Sequence, residues 1–216
     1  MKRGFVYPTA DVTKVNPNWY YNWGPAETPG VNIPFVPMVW GKKPVNLALK
    51  APIILGFNEP DGAAQSNLTP DHALSLWSGV VSNGLRVGSP ATAENPATGT
   101  WLNSFKGGYD FVCVHWYAPP NPAGFLKFID AVYAKFNKPI WITEFAVADW
   151  KGTLNLTPAQ VLTFMEAVIP ELEKRDYVER YAWKTRTVSD PALGASAIFN
   201  DDGSLTTLGQ YYSTLP

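Results

Sequence analysis

Cysteine and histidine are scarce in this chain, and neither acidic nor basic residues are in excess. The 216 residues include one cysteine, Cys113, which excludes an internal disulfide framework. The two histidines, His72 and His115, lie far apart, and no His/Cys/Asp cluster has metal-ligand spacing, so we expect neither a metal nor another cofactor. The formal net charge is -1, and the basic stripe of a nucleic-acid-binding protein is missing.

Long hydrophobic runs are missing as well. The longest apolar runs have the length of strands, so we expect no membrane-spanning helix. Cys113 lies in one of these runs, FVCVHWY, and is expected to be a core thiol. Residues 1–8 lead straight into strand-like sequence without the pattern of a signal peptide. Linkers, repeats and low-complexity segments are absent, which predicts a single monomeric domain over residues 1–216.

Eight short apolar runs are present instead. Several are almost continuously apolar, which is typical of parallel strands covered on both faces. The runs span residues 3–8, 18–23, 33–41, 52–58, 85–91, 110–117, 139–145 and 179–185.

Helical patterns lie between the later runs, at 69–84, 121–138 and 157–175. The first and third begin with Thr-Pro, an N-cap followed by proline at the first helical position. Pro170 is expected to kink or break the third helix, and a last short helix is expected near Thr206.

The alternation of strand and helix favours an α/β fold, specifically a compact (β/α)₈ TIM barrel. Little room for helices remains between residues 3 and 58, so shortened helices are expected in the first half. The rival fold is an open doubly wound sheet. That fold usually has a glycine-rich first turn, and residues 7–18 contain no glycine.

Two of the predicted strands end on carboxylates. The segment ILGFNEPDG, residues 54–62, carries Asn58 and Glu59, and the segment PIWITEF carries Glu144. A glutamate at the end of an apolar strand is costly unless it has a partner. In a barrel, the carboxyl ends of the fourth and seventh strands meet at one mouth, so both side chains would lean over it. Taken alone, Glu59 could be a turn residue and Glu144 a partnered structural carboxylate.

Two facing carboxylates suit glycoside hydrolysis. One is protonated and donates to the leaving oxygen, and the other is ionised and attacks the anomeric carbon or stabilises the charge that develops there. Their mutual repulsion separates the two pKa values. The pattern therefore predicts a glycosidase site built on Glu59 and Glu144.

These segments resemble glycoside hydrolase family 128, compact β-1,3-glucanases of the retaining clan A. The resemblance implies that Glu59 is the acid/base, that Glu144 is the nucleophile, and that Asn58 binds the substrate 2-hydroxyl. Many clan members place an arginine from the second strand beside the nucleophile, but none occurs here between Arg3 and Arg86. What holds Glu144 ionised is left open. The six segments that carry the resemblance are WYYNW, FVPMVWG, ILGFNEPD, FVCVHWY, WITEFAV and YAWKT.

Further candidate binding residues lie at strand ends. His115 and Tyr117 close the sixth predicted strand, where the resemblance implies groups that orient the nucleophile. The alternatives are a buried histidine bonded to the backbone and a tyrosine that caps the core. Tryptophan rings stack on the apolar C–H faces of sugars. The resemblance to the clan implies that Trp183, at the end of the eighth predicted strand, is the platform under the reacting sugar. The tryptophans expected at the mouth are Trp23, Trp40, Trp116 and Trp183.

The leading hypothesis is a retaining endo-β-1,3-glucanase that acts by double displacement on laminarin-like β-1,3-glucan. A near-neutral chain with 14% aromatic residues favours an uncharged glucan over a uronic-acid polymer. Another clan A glycosidase, such as a mannanase or xylanase, and a non-catalytic glucan-binding barrel are the alternatives. Secretion is expected from the function alone. The sequence leaves the choice between endo and exo action open.

Overall fold

Seven parallel strands form two sheets in the computed structural model, which describes residues 2–6 and 10–216. A five-stranded sheet has the order β2-β1-β7-β6-β5, and β3 pairs with β4 in a second sheet. The last residues of the first predicted run, Tyr7 and Pro8, lie outside the described residues. The strands are β1 (Arg3–Val6), β2 (Trp19–Tyr21), β3 (Ala51–Ile54), β4 (Gly84–Val87), β5 (Val112–Ala118), β6 (Ile140–Val147) and β7 (Val178–Trp183).

Helices follow the later strands, and their starts match the predicted Thr-Pro signals. The Thr69 side chain accepts a hydrogen bond from the first turn of α1, and Thr157 forms a capping box with Gln160 at the start of α4. The α-helices of the described residues are α1 (Pro70–Val81), α2 (Trp101–Ser104), α3 (Pro122–Phe136), α4 (Pro158–Lys174) and α5 (Thr207–Thr214). Short 3₁₀ helices cover Ala10–Val15 and Gly194–Ser196.

The expected break at Pro170 is wrong. Helix α4 continues through this proline to Lys174. A proline inside a helix loses one backbone hydrogen bond, which weakens the helix. Ile169 and Leu172 are fully buried on either side of it, so packing holds the last turn in place.

The first half of the chain is compressed, as predicted. Residues 22–50 contain no helix or strand, and the predicted strand at 33–41 contributes only single-residue bridges. The parallel strands and the helices that follow the later ones confirm the predicted α/β class. The parallel bridges join Tyr20 to Phe35, Met38 to Leu55, Asn58 to Ala91, Gly88 to Phe111 and Thr92 to Val114.

Buried side chains form two cores, one on each face of the strands. Along β5, Val112 and Val114 belong to the larger core with the helices, whereas Cys113 belongs to the second core with Trp19 and Trp141. This alternation follows the two-residue period of a strand. The prediction of a core thiol at Cys113 is confirmed, and burial raises the pKa of that thiol. No helix in the described ranges is long and apolar enough to cross a membrane.

Candidate active site

Glu59 lies in a tight turn just beyond β3. Its φ of +39° falls in the left-handed region, an unfavourable backbone conformation for a glutamate. Hydrogen bonds hold this conformation on both sides: the Glu59 amide donates to the Ala91 carbonyl at 2.7 Å, and the Gly62 amide donates to the Glu59 carbonyl at 2.9 Å. The turn therefore presents the carboxylate at a fixed point of the molecule.

Glu144 lies in β6, where an irregular pairing aligns it with β5. Val114 pairs with Ile142, but the next residue of β5, His115, pairs with Glu144. The shift leaves Thr143 as an extra residue on β6, a β-bulge of the kind that re-aims side chains next to active sites. His115 and Glu144 consequently lie side by side.

Three hydroxyl or indole groups donate hydrogen bonds to the Glu144 carboxylate. The Tyr21 hydroxyl donates to Oε1 at 2.8 Å, the Trp23 indole donates to the same oxygen at 2.9 Å, and the Tyr117 hydroxyl donates to Oε2. Tyr21 belongs to β2, the second strand. A tyrosine on the second strand therefore contacts the carboxylate for which the resemblance implied an arginine.

The surroundings of Glu144 favour its ionised form. Burial raises the pKa of this carboxyl, but the positive charge of His115, the hydrogen bonds from Tyr117 and Trp23, and the charge of Lys184 together outweigh burial. The pKa of Glu144 is consequently below its usual value.

His115 lies between the two glutamates. Its Nδ1 is 2.9 Å from Glu59 Oε1, and its Nε2 is 3.6 Å from Glu144 Oε1, too long for a hydrogen bond. Burial lowers the pKa of this imidazole. The charge of Glu144 and the hydrogen bond to Glu59 raise that pKa by a larger amount, so the net shift is upward. The contact between Nδ1 and Glu59 Oε1 is a hydrogen bond that fixes the orientation of both side chains.

A cavity of about 310 Å³ lies over both carboxylates. Asn58 lines it: its Nδ2 donates to Gln65 at 3.3 Å, while its buried Oδ1 has no partner among the described residues. A neighbouring cavity of about 690 Å³ shares three of the lining residues. The first cavity is lined by Trp23, Trp40, Asn58, Glu59, Gln65, Tyr117, Glu144, Trp150, Lys184, Arg186 and Leu193, and the shared residues are Trp23, Lys184 and Arg186.

Two of the four predicted tryptophans, Trp23 and Trp40, lie in the cavity, and the other two require correction. Trp183 is fully buried, donates from its indole to the Ser196 carbonyl at 2.9 Å, and therefore cannot be a sugar platform in this structure. Trp116 stacks on Phe164 of α4 with ring centroids 5.1 Å apart. Strand alternation explains both errors, because each ring points toward the helices rather than toward the mouth.

Sequence reasoning missed three groups in the site. A signal for Tyr21 exists, because it alternates with Trp19 along β2 and lies two residues before Trp23, which was predicted to bind substrate. Lys184 directly follows a residue that was assigned to the mouth. Trp150 is 64% exposed in the loop after β6, and only its isolation among polar residues marked it.

Comparison with known proteins places the chain in a family. Residues 7–212 match the family described as glycosyl hydrolase catalytic core. An endo-β-1,3-glucanase of glycoside hydrolase family 128 from Amycolatopsis mediterranei, solved with laminaripentaose, is 26% identical with a TM-score of 0.82, covering 100% of this chain and 99% of that one. A family 128 oligosaccharide-binding protein from Trichoderma gamsii is 26% identical with a TM-score of 0.80, covering 98% and 92%.

A curated relative is alkali-sensitive linkage protein 1 of Schizosaccharomyces pombe. It is 27% identical over 218 residues, which cover 90% of this chain. The chain spans 40% of the length of that relative. The match over residues 7–212 and the shared fold show that the chain belongs to the glycosyl hydrolase catalytic core family, in glycoside hydrolase family 128.

Proposed function

We propose that the protein is a retaining endo-β-1,3-glucanase in which Glu59 is the acid/base and Glu144 is the nucleophile. The observation that carries the proposal is the pair of carboxylates on either side of His115, one hydrogen-bonded to that histidine and the other held ionised by three donors. An ionised nucleophile near a second carboxyl group that acts first as acid and then as base is the arrangement that double displacement needs.

In the first step, Glu59 gives its proton to the glycosidic oxygen as the bond from the anomeric carbon to that oxygen breaks. A carboxylate oxygen of Glu144 forms a bond to the anomeric carbon, which yields a glycosyl ester. The hydrogen bond between His115 Nδ1 and Glu59 Oε1 orients the Glu59 carboxyl. Loss of its proton leaves Glu59 ionised, as the base of the second step must be.

In the second step, a water molecule attacks the anomeric carbon and gives its proton to Glu59. Glu144 leaves with the bonding electrons, and two inversions retain the configuration. Three donors on Glu144 stabilise the carboxylate as it is released. Asn58 Oδ1, buried and without a protein partner among the described residues, accepts the 2-hydroxyl of the reacting sugar.

The cavities support a polymeric, uncharged substrate. Trp23 and Trp40 give aromatic surface to the cavity over the carboxylates. The 690 Å³ cavity extends from that space past Trp23 and Lys184, and a cavity of about 270 Å³ adjoins Glu59 on its other side. Room on both sides of the scissile bond supports cleavage inside a chain rather than at its end.

We further infer that the two sheets belong to one (β/α)₈ barrel and that residues 1–216 form one domain. The single bridges connect β2 through residues 35–38 to β3, and β4 through residues 88–92 to β5. Action as a monomer stays a prediction. A polymeric substrate supports secretion, which an assay of the culture medium for the protein would test.

A non-catalytic glucan-binding protein is the second candidate, because the Trichoderma gamsii protein with this fold binds oligosaccharide. A reducing-sugar assay on laminarin separates the two, with β-1,4-mannan and xylan as alternative substrates. We expect the wild-type protein to release reducing sugar from laminarin but not from mannan or xylan. We expect the Glu144→Gln variant to release none. Binding of laminarin by the wild-type protein without release of reducing ends would overturn the catalytic proposal.

A further inference from the structure

Lys184 is a buried lysine at the edge of the proposed active site. It directly follows β7, and only 5% of the residue is exposed. Lysine is rarely buried to this extent unless its charge has a partner. Its Nζ lies 4.0 Å from the centroid of the Trp23 ring, the geometry of a cation–π contact in a desolvated place.

Trp23 links this ammonium to the nucleophile. Its indole Nε1 donates to Glu144 Oε1 at 2.9 Å, so one face of the ring contacts the lysine and one edge contacts the carboxylate. The backbone of Trp23 has a φ of +61°, which a tryptophan rarely adopts. Such a backbone persists only where its surroundings over-determine it.

The backbone of Lys184 is anchored to the same strand as the nucleophile. Its amide donates to the carbonyl of Phe145, the residue after Glu144, at 3.0 Å. Lys184 also lines both of the larger cavities at their junction. Its ammonium is therefore placed by the barrel strands rather than by a mobile loop.

We propose that Lys184 is a positioning residue whose ammonium holds the Trp23 indole in its donating orientation and keeps Glu144 ionised for attack. This role rests on the proposed function. A methionine of similar length would fill the space but remove the charge.

The charges around Lys184 make its effect depend on pH. Burial lowers the pKa of Lys184 to about 8, against the charge of Glu144 which raises it, with smaller effects from Arg186 and Asp190. Lys184 is therefore cationic near neutral pH and loses its charge above pH 8. The other titratable groups that face Glu144 are Tyr21 on β2, His115 and Tyr117 on β5, and Glu59 through His115.

Removal of the cation destabilises the ionised carboxylate. Loss of a nearby opposite charge raises a carboxyl pKa, here by about one unit. The acidic limb of any step that needs ionised Glu144 then moves to higher pH by the same amount. An arginine stays positively charged at every working pH. The Lys184→Arg variant should therefore keep the acidic limb of the wild-type pH profile, and its rate should not fall above pH 8.

The test is covalent labelling with 2-deoxy-2-fluoro-β-laminaribiosyl fluoride across roughly pH 3 to 10, which includes the usual titration ranges of carboxyl and lysine groups. Glu144 bonds to the anomeric carbon, and fluoride leaves with the electron pair of the broken C–F bond. Fluoride needs no proton, so the protonation of Glu59 does not enter the rate. Intact-mass spectrometry gives the labelling rate at each pH for wild type, Lys184→Met and Lys184→Arg.

We expect the acidic midpoint of Lys184→Met to lie about one unit higher than that of wild type, so that labelling at pH values below the midpoint is about tenfold slower. Circular dichroism of each variant over the same pH range separates a moved midpoint from acid unfolding of a destabilised variant. Lys138→Met is the matched control, because Lys138 also contacts an aromatic ring, Tyr109 at 5.6 Å, at the opposite end of β6. It should keep the wild-type profile.

A Lys184→Met profile that coincides with wild type overturns the role of Lys184 while the proposed function stands. A wild-type protein that is never labelled overturns the retaining mechanism, and the role of Lys184 with it. Restoration of the acidic midpoint by Lys184→Arg supports the charge as the active feature. A Lys184→Arg midpoint equal to that of Lys184→Met contradicts it.

Discussion

The Tyr21 hydroxyl lies 2.8 Å from Glu144 Oε1, across from the strand that carries the glutamate. Burial and the negative charge of Glu144 raise the pKa of this phenol far above its usual value. Tyr21 therefore stays a hydrogen-bond donor at every working pH. A neutral donor holds the proposed nucleophile ionised without adding a second buried charge, which would carry its own desolvation cost.

Tyr21→Phe is predicted to lower kcat/KM for laminarin by about 10- to 100-fold. A hydrogen bond to a charged group is worth about 1.5–3 kcal/mol, and 1.4 kcal/mol is about a factor of ten. Loss of the donor raises the pKa of Glu144, so the acidic limb of the pH profile also moves up. Steady-state kinetics between pH 4 and 8 (roughly the range of carboxyl and imidazole titration) measure both effects.

Tyr20→Phe is the matched control for this substitution. The Tyr20 hydroxyl accepts a hydrogen bond from the Thr28 amide at 2.9 Å and belongs to the other core. Its removal should cost about 1 kcal/mol of folding stability and leave kcat/KM unchanged. Equal losses of activity in Tyr20→Phe and Tyr21→Phe would contradict a specific role for Tyr21.

Local signals in the sequence predicted the parts of the site that local structure determines. The Thr-Pro caps at Thr69 and Thr157 start helices where expected, because capping depends on neighbouring residues alone. The polar strand ends placed Glu59, Glu144 and His115 together, because the carboxyl ends of parallel strands converge.

The face toward which a ring points was harder to predict. Parallel strands are buried on both faces, so an apolar pattern does not tell which of two neighbours points inward. Along β7, Ala182 packs in the second core, whereas Trp183 packs with the helices. Long-range contacts, such as those of Tyr21 with Glu144 and of Lys184 with Trp23, depend on how distant segments pack together and have no local pattern.

Trp150→Ala is predicted to weaken binding of laminari-oligosaccharides by roughly 1–2 kcal/mol. Trp150 is 64% exposed, lines the cavity over both carboxylates and packs edge-on against Tyr117 with centroids 5.8 Å apart. Its indole face is thus free to stack on a sugar. Isothermal titration calorimetry with laminarihexaose measures the change in binding free energy. Both proteins carry Glu144→Gln, which prevents cleavage, with and without Trp150→Ala.

Trp183→Ala should behave in the opposite way. Trp183 is fully buried and packs edge-on against Phe145 with centroids 4.9 Å apart. Its removal leaves a cavity and is expected to cost about 3–5 kcal/mol of unfolding free energy. Urea unfolding of both variants separates the two roles; a Trp150→Ala protein with weakened folding and unchanged binding would place Trp150 with the structural tryptophans.

The two carboxyl groups are predicted to lie about 5 to 5.5 Å apart, the separation of retaining glycosidases. His115 contacts Glu59 at 2.9 Å and lies 3.6 Å from Glu144, so one imidazole ring spans the space between them. A crystal structure of the free enzyme measures the separation directly. A value near 8 Å leaves room for a water and makes the enzyme an inverter, in conflict with double displacement.

The roles of the two glutamates are separable by the products that azide gives. Glu59→Ala lacks the acid/base, so an activated aryl laminaribioside still forms the ester with Glu144, and hydrolysis of that ester stalls without a base. Azide needs no base, attacks the ester and should give the β-glycosyl azide with turnover restored. Glu144→Ala lacks the nucleophile, so azide can enter only by direct displacement and should give the α-azide from the β-linked substrate. Product configuration by NMR reads both variants, and interchange of the two products would reverse the assigned roles.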